Sequence, residues 1–264
     1  MENDINNNFN FRLPSSYYKG ENMIAFVSGH HGSGKTWLSI AVAQVLASMK
    51  QRVLLFDGSV GLNNIKKQLG IITERDLDKV IYSGDCLNQI IMSYPKGKFD
   101  MILSNPASSG LSTMSLGGLQ IFGDDLNIIS QDYDKVVLDI DSNQSDAARV
   151  LTGMSKFIVM VCNDNVASLT ECYQNIAELY HKYPQKRIGI VINQVDNCVK
   201  GQRAYAELAT ACERFLKEVP PLLGIIRNDT RVRDAIRNQT TVITRYPQSE
   251  ASLDVIAIAK EILK

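Results

Sequence analysis

Net charge is missing from this chain: 28 Lys and Arg offset 28 Asp and Glu over 264 residues. Proteins that bind nucleic acid through its phosphates are basic, so nothing in the charge balance argues for nucleic acid, and no specific nucleic-acid binding is expected. Paired cysteines are also missing. Cys86, Cys162, Cys172, Cys198 and Cys212 are odd in number and form no C-x-x-C pair. That pattern points to free thiols in a reducing compartment rather than to disulfides or metal ligands. Cys162 lies in an apolar run and reads as buried. No apolar run approaches the roughly 20 residues of a membrane span. The Asn-rich, acidic N-terminus lacks the character of a signal peptide. A cytoplasmic protein is expected. No internal repeat and no long linker appears, so one domain is expected after a flexible polar arm at 1–21.

What the chain does have is alternation. Short apolar runs at 23–27, 52–56, 99–103, 135–138, 157–161, 188–192 and 222–226 read as strands. Several are apolar throughout, as parallel strands covered on both faces are. Longer amphipathic stretches at 36–49, 167–183 and 202–216, and a last one capped by Ser249, read as helices. The alternation predicts an α/β fold with a three-layer, mostly parallel, doubly wound sheet.

Between the first strand and the first helix stand Gly29-His30-His31-Gly32-Ser33-Gly34-Lys35-Thr36. This satisfies the phosphate-loop pattern G-x-x-x-x-G-K-[ST] in its proper strand–turn–helix context. The glycines let the backbone curl so that N–H groups point at phosphate oxygens, and the helix N-terminus adds partial positive charge. Lys35 is expected to reach the outer phosphates and the Thr36 hydroxyl to ligate Mg²⁺. Trp37 follows directly and is counted with the nucleotide-binding residues. Hydrolysis also needs a carboxylate near the phosphates, usually at the carboxyl end of a neighbouring strand. Asp57 and Asp139 stand at such ends, and Asp139 is the better Mg²⁺ candidate.

Several further segments together resemble the MinD/ParA class of P-loop ATPases, most closely the FlhG/FleN (YlxH) branch that governs flagellar number and placement. Residues 53–64, VLLFDGSVGLNN, are similar to that branch's VLLxDADLGLAN. Leu69-Gly70-Ile71 resembles LLGL, Ser83-Gly84-Asp85-Cys86 resembles SGEC, and Pro106-Ala107-Ser108-Ser109-Gly110 matches PASSG. Val159-Met160-Val161-Cys162 resembles VVVC, and Ile192-Asn193-Gln194-Val195 resembles the strand-end NxV whose Asn borders the adenine. The resemblance spans about 23–262. It implies a sandwich dimer with ATP and Mg²⁺ between protomers, whose ATP-bound form docks on a membrane or a partner. The partners it implies are a flagellar GTPase, a flagellar transcriptional activator or switch-complex components.

The chain departs from that family at its switches. Where the family has a first lysine that crosses to the partner's phosphates, this chain has His30, followed by His31 in place of glycine. Ser59 stands where a second, water-positioning aspartate belongs, and Asn143 stands where the switch glycine belongs, in Asp139-Ile140-Asp141-Ser142-Asn143. The adenine-side P-x-D corresponds to Arg227-Asn228-Asp229, which keeps Asp229. These losses fall on catalysis and dimer coupling, so slow or absent turnover is expected beside retained binding. Residues 1–22 hold no DQAxxLR activator motif, and Leu253, Ile256, Ile262 and Leu263 read as a core-packing face rather than a membrane face. The competing readings are an active positioning or partitioning ATPase rewired through His30 or Asp141, and a metabolic or electron-transfer enzyme of the same fold.

Overall fold

The computed structural model describes residues 20–30, 32–59, 64–105, 107–108, 110–140 and 145–264. Most of the proposed polar arm, together with His31, Pro106, Ser109, Asp141, Ser142 and Asn143, lies outside the described residues.

The strands are β1 (Gly20–Ser28), β2 (Val53–Gly58), β3 (Met92–Tyr94), β4 (Phe99–Ile102), β5 (Lys135–Ile140), β6 (Ser155–Cys162), β7 (Arg187–Val195) and β8 (Leu222–Arg227). They form one sheet in the order β3-β4-β2-β5-β1-β6-β7-β8. All neighbours run parallel except β3, which pairs antiparallel with β4 at the edge. β1 begins at Gly20, so Gly20 and Glu21 belong to the sheet and not to the arm. The main-chain pairing of Gly20 with Ser155 extends the strand beyond its apolar stretch.

Helices cover both faces. α1 (Lys35–Ser48), α2 (Ile65–Leu69), α8 (Thr230–Arg237), α9 (Val242–Arg245) and α10 (Glu250–Ile262) share one apolar core with the sheet. On the other face lie α3 (Leu77–Ser83), α4 (Leu116–Ser130), α5 (Asp146–Met154), α6 (Val166–Lys182) and α7 (Cys198–Leu216). The expected three layers are present. α1 is buried on nearly every side, including Leu38, Val42 and Leu46, and this explains why its sequence is apolar almost all round.

α10 corrects the expected core face. Leu253 and Leu263 are exposed, whereas Ala251, Val255, Ile258, Ala259 and Ile262 pack inward. Those inward positions follow the helical period, and Leu253 falls on the opposite side. No helix among the described residues is long and apolar enough to cross a membrane. Cys162 is buried as expected, and none of the five cysteines is in a disulfide.

Candidate nucleotide-binding site

β1 occupies the middle of the sheet, and the chain leaves its carboxyl end through the phosphate loop into α1. Its neighbours β5 and β6 are connected through α5 on the other face. Such a reversal of winding opens a crevice at the carboxyl ends of the strands, where ligands of this architecture bind. Those sequence-predicted residues that lie among the described ones converge there.

α1 has Gly34 as its N-cap, at φ 85°, with no side chain capping the first turn and no acidic residue in it. Its leading N–H groups are therefore left for an anion. A Cβ on Gly34 would meet Asn193 Nδ2 at 2.4 Å and Trp37 Nε1 at 2.5 Å, so only glycine allows this close approach. Gly29 lies against α6, near Glu171 and Asn175. Ser33 is buried, Thr36 is half-buried, and Gly32 projects into open space.

Two carboxylates stand beneath the loop. β2 and β5 pair in a register that puts Asp57 directly beside Asp139, and both are fully buried. Asp139 Oδ1 accepts a hydrogen bond from Lys35 Nζ at 2.8 Å. Asp139 Oδ2 is buried and has no hydrogen-bond partner among the described residues. An anionic oxygen in that position suits a hydrated divalent cation. Asp57 is pushed up to about 6, first by burial and then by repulsion from Asp139, and hydrogen bonds from Ser59 and Ser104 partly offset both. Ser59 donates to Asp57 Oδ1 through its hydroxyl at 2.5 Å and its backbone N–H at 3.2 Å, and Ile65 N–H reaches Oδ2. Ser104 at the end of β4 and Asn64 at the start of α2 continue this polar lining.

The structure joins His30 to its own chain. His30 Nδ1 lies 3.1 Å from Glu171 on α6, with both side chains partly exposed. Asn193 is fully buried, and its Nδ2 donates to Ser33 O at 2.6 Å. It therefore holds the loop as well as lining the neighbouring cavity. That cavity, about 190 Å³, is lined by Trp37, Asn193, Gln194, Arg227, Asn228, Asp229 and others. Trp37, Asn193 and Asp229 thus meet at one place although they are far apart in sequence. Asp229 also N-caps α8 through Oδ1. Arg227 is fixed by a two-pronged pair with Asp254, Nε to Oδ2 at 3.0 Å and Nη2 to Oδ1 at 2.8 Å.

Sequence reasoning missed Ser104, Asn163, Glu171 and Gln194. Ser104 and Asn163 follow the ends of parallel strands, where polar residues commonly serve sites, and that signal was available. Glu171 lies within an ordinary amphipathic helix, and nothing local marks it.

The sequence model of the CobQ/CobB/MinD/ParA nucleotide binding domain matches residues 24–242. The chain is 31% identical to the antiactivator FleN of Pseudomonas aeruginosa over 91% of its own length and 85% of FleN. It is 22% identical to the flagellum site-determining protein YlxH of Helicobacter pylori, over 97% of this chain and 87% of that one. Its fold is that of the septum site-determining protein MinD of Pyrococcus horikoshii, solved with Mg-ADP. The TM-score is 0.78 at 19% identity, over 92% of this chain and 96% of that one. The chain belongs to the CobQ/CobB/MinD/ParA family of nucleotide-binding domains.

Proposed function

We propose that this chain is an ATP-binding regulatory switch of the MinD type that acts on flagellar number or placement and binds nucleotide far better than it turns it over. The flagellar part of the reading rests on the likeness to FleN and YlxH. The cytoplasm is its proposed location, and a nucleotide-dependent homodimer is its proposed working form. Its partners would be a flagellar GTPase, a transcriptional activator or a switch-complex protein.

The residues divide the work as follows. The N–H groups of Gly32, Ser33 and Gly34 and the first turn of α1 hold phosphate. Lys35 supplies the positive charge, and Thr36 with Asp139 holds Mg²⁺. Trp37, Asn193 and Asp229 border the base. Bound Mg²⁺ supplies the charge neutralisation that phosphoryl transfer requires. The chain's own residues bind and orient.

One observation carries the weak-turnover reading: the Ser59 hydroxyl donates to Asp57 at 2.5 Å. A second carboxylate at that position could orient and polarise an attacking water; the Ser59 hydroxyl, its proton given to Asp57, can still accept a hydrogen bond from water but brings no negative charge to polarise it. The tie between His30 and Glu171 weighs against a site rewired through His30, since the imidazole is engaged within its own subunit.

The test is ATP turnover by purified protein beside the Ser59→Asp variant. Wild type is expected to hydrolyse ATP at a small fraction of the rate of an intact MinD-type enzyme. Ser59→Asp is expected to raise that rate by about tenfold or more, as restoring one well-placed group does. Brisk wild-type turnover that Ser59→Asp leaves unchanged would refute the reading.

A further inference from the structure

At the bulged end of β7, register is lost between Ile192 and Val195, and Gln194 adopts φ 62°. A left-handed glutamine is unusual, because its Cβ crowds the backbone and no local sequence demand explains it here. Strain of this kind persists only where the surroundings hold it, and such residues gather at binding sites. The hydrogen bonds show what holds it. Asn163 Nδ2, buried at the end of β6, donates to Asn193 O at 3.1 Å and to Gln194 Oε1 at 3.3 Å. With its Oε1 so engaged, Gln194 turns its Nε2 to Gly32 O at 3.3 Å. Asn193 Oδ1 accepts the N–H of Gln194 at 2.9 Å, which sends Asn193 Nδ2 to Ser33 O.

Two successive side-chain amides thus grip two successive carbonyls of the phosphate loop. In a planar trans peptide, the C=O of one residue and the N–H of the next point in opposite directions. Fixing Gly32 O therefore fixes the direction of Ser33 N–H, and fixing Ser33 O fixes that of Gly34 N–H. We infer that Gln194, braced by Asn163, is a positioning residue for phosphate binding: together with Asn193 it turns the loop carbonyls outward and so aims the Ser33 and Gly34 N–H groups at a nucleoside diphosphate or triphosphate. The left-handed backbone is what brings the Gln194 amide within reach of Gly32.

This inference rests on the nucleotide-binding reading and deepens it. Its test uses the full chain and two probes, ADP with Mg²⁺ and adenosine, with binding followed by the fluorescence of Trp37, the one tryptophan of the sequence. Adenosine fills the base cavity but carries no phosphate. The variants are Gln194→Gly, which relieves the strained backbone and deletes the amide, and Gln194→Glu, which turns a carboxylate towards Gly32 O. Both are expected to weaken ADP binding by about tenfold or more and adenosine binding far less, because Gln194 only borders the base cavity whereas the phosphate donors lose their aim. Gln194→Gly is expected to melt at or above the wild-type temperature, which separates lost positioning from lost folding. ADP affinity like wild type in Gln194→Gly would overturn the inference. Equal loss for ADP and adenosine would overturn it as well, since Gln194 would then act only through the base cavity it lines and not through the phosphate donors. Wild-type protein that binds no ADP would instead sink the nucleotide-binding reading itself, and the inference with it.

Discussion

Lys35 on α1 donates to Asp139 on β5 at 2.8 Å, and both side chains are buried. The residue expected to neutralise phosphate and the residue expected to hold the cation are therefore partners in one ion pair. The pair keeps each charge compensated in the interior, where an unpaired ion is costly.

Removing Lys35 alone should therefore damage more than binding. Lys35→Met leaves Asp139 buried without its counter-charge, and removing one partner of a buried pair costs about 3–5 kcal/mol. The double variant Lys35→Met with Asp139→Leu should recover most of that loss, because neither charge remains. Urea unfolding of the wild type, both single variants and the double variant measures the coupling. A double variant no more stable than Lys35→Met would count against the pair as the source of the effect.

Asp57 gives a pH dependence of known sign. Its carboxyl is pushed from the usual 3.8 up to about 6. Between those values the native state binds more protons than the unfolded chain, so stability falls as pH rises through this window and levels off above it. Two pKa units correspond to roughly 3 kcal/mol. Asp57→Asn should remove this slope and be more stable than wild type near neutral pH. The difference between their urea midpoints at pH 4.5 and pH 7 tests the claim, and parallel pH profiles would contradict it.

The loop glycines separate strain from collision. Gly32 and Gly34 both have positive φ, but a Cβ on Gly32 meets nothing within 4 Å whereas one on Gly34 meets Asn193 Nδ2 at 2.4 Å. Gly32→Ala should cost about 1–2 kcal/mol of backbone strain and still bind nucleotide weakly. Gly34→Ala should abolish binding, because Asn193 must move and release Ser33 O. Calorimetric titration with ADP and Mg²⁺ distinguishes the two, and equal affinities for both variants would refute the distinction.

The sheet was legible because its strands are buried on both faces, so 53–56, 136–138 and 157–161 read as unbroken apolar runs. β3 escaped because Met92–Tyr94 is three residues long and lies at an antiparallel edge, where little apolar pattern is required. α4 escaped because Gly117, Gly118 and Gly123 weaken its local helical signal, and its burial of Leu119, Phe122 and Leu126 carries it instead. The phosphate loop was fully legible as a motif. What could not be read was who faces whom. Asp57 and Asp139 become neighbours only through the strand order, which sets β2 beside β5, and 104 positions separate Lys35 from Asp139. The left-handed turn at Gln194 is equally invisible in sequence, since glutamine carries no preference for it.

The central proposal is that the site holds ATP and turns it over only very slowly. Incubating the protein with labelled ATP and Mg²⁺, isolating the complex and identifying the bound nucleotide tests this most directly. The account predicts intact ATP on the protein, with free phosphate well below one equivalent per chain over many minutes. ADP on the protein, with several equivalents of phosphate released, would contradict it.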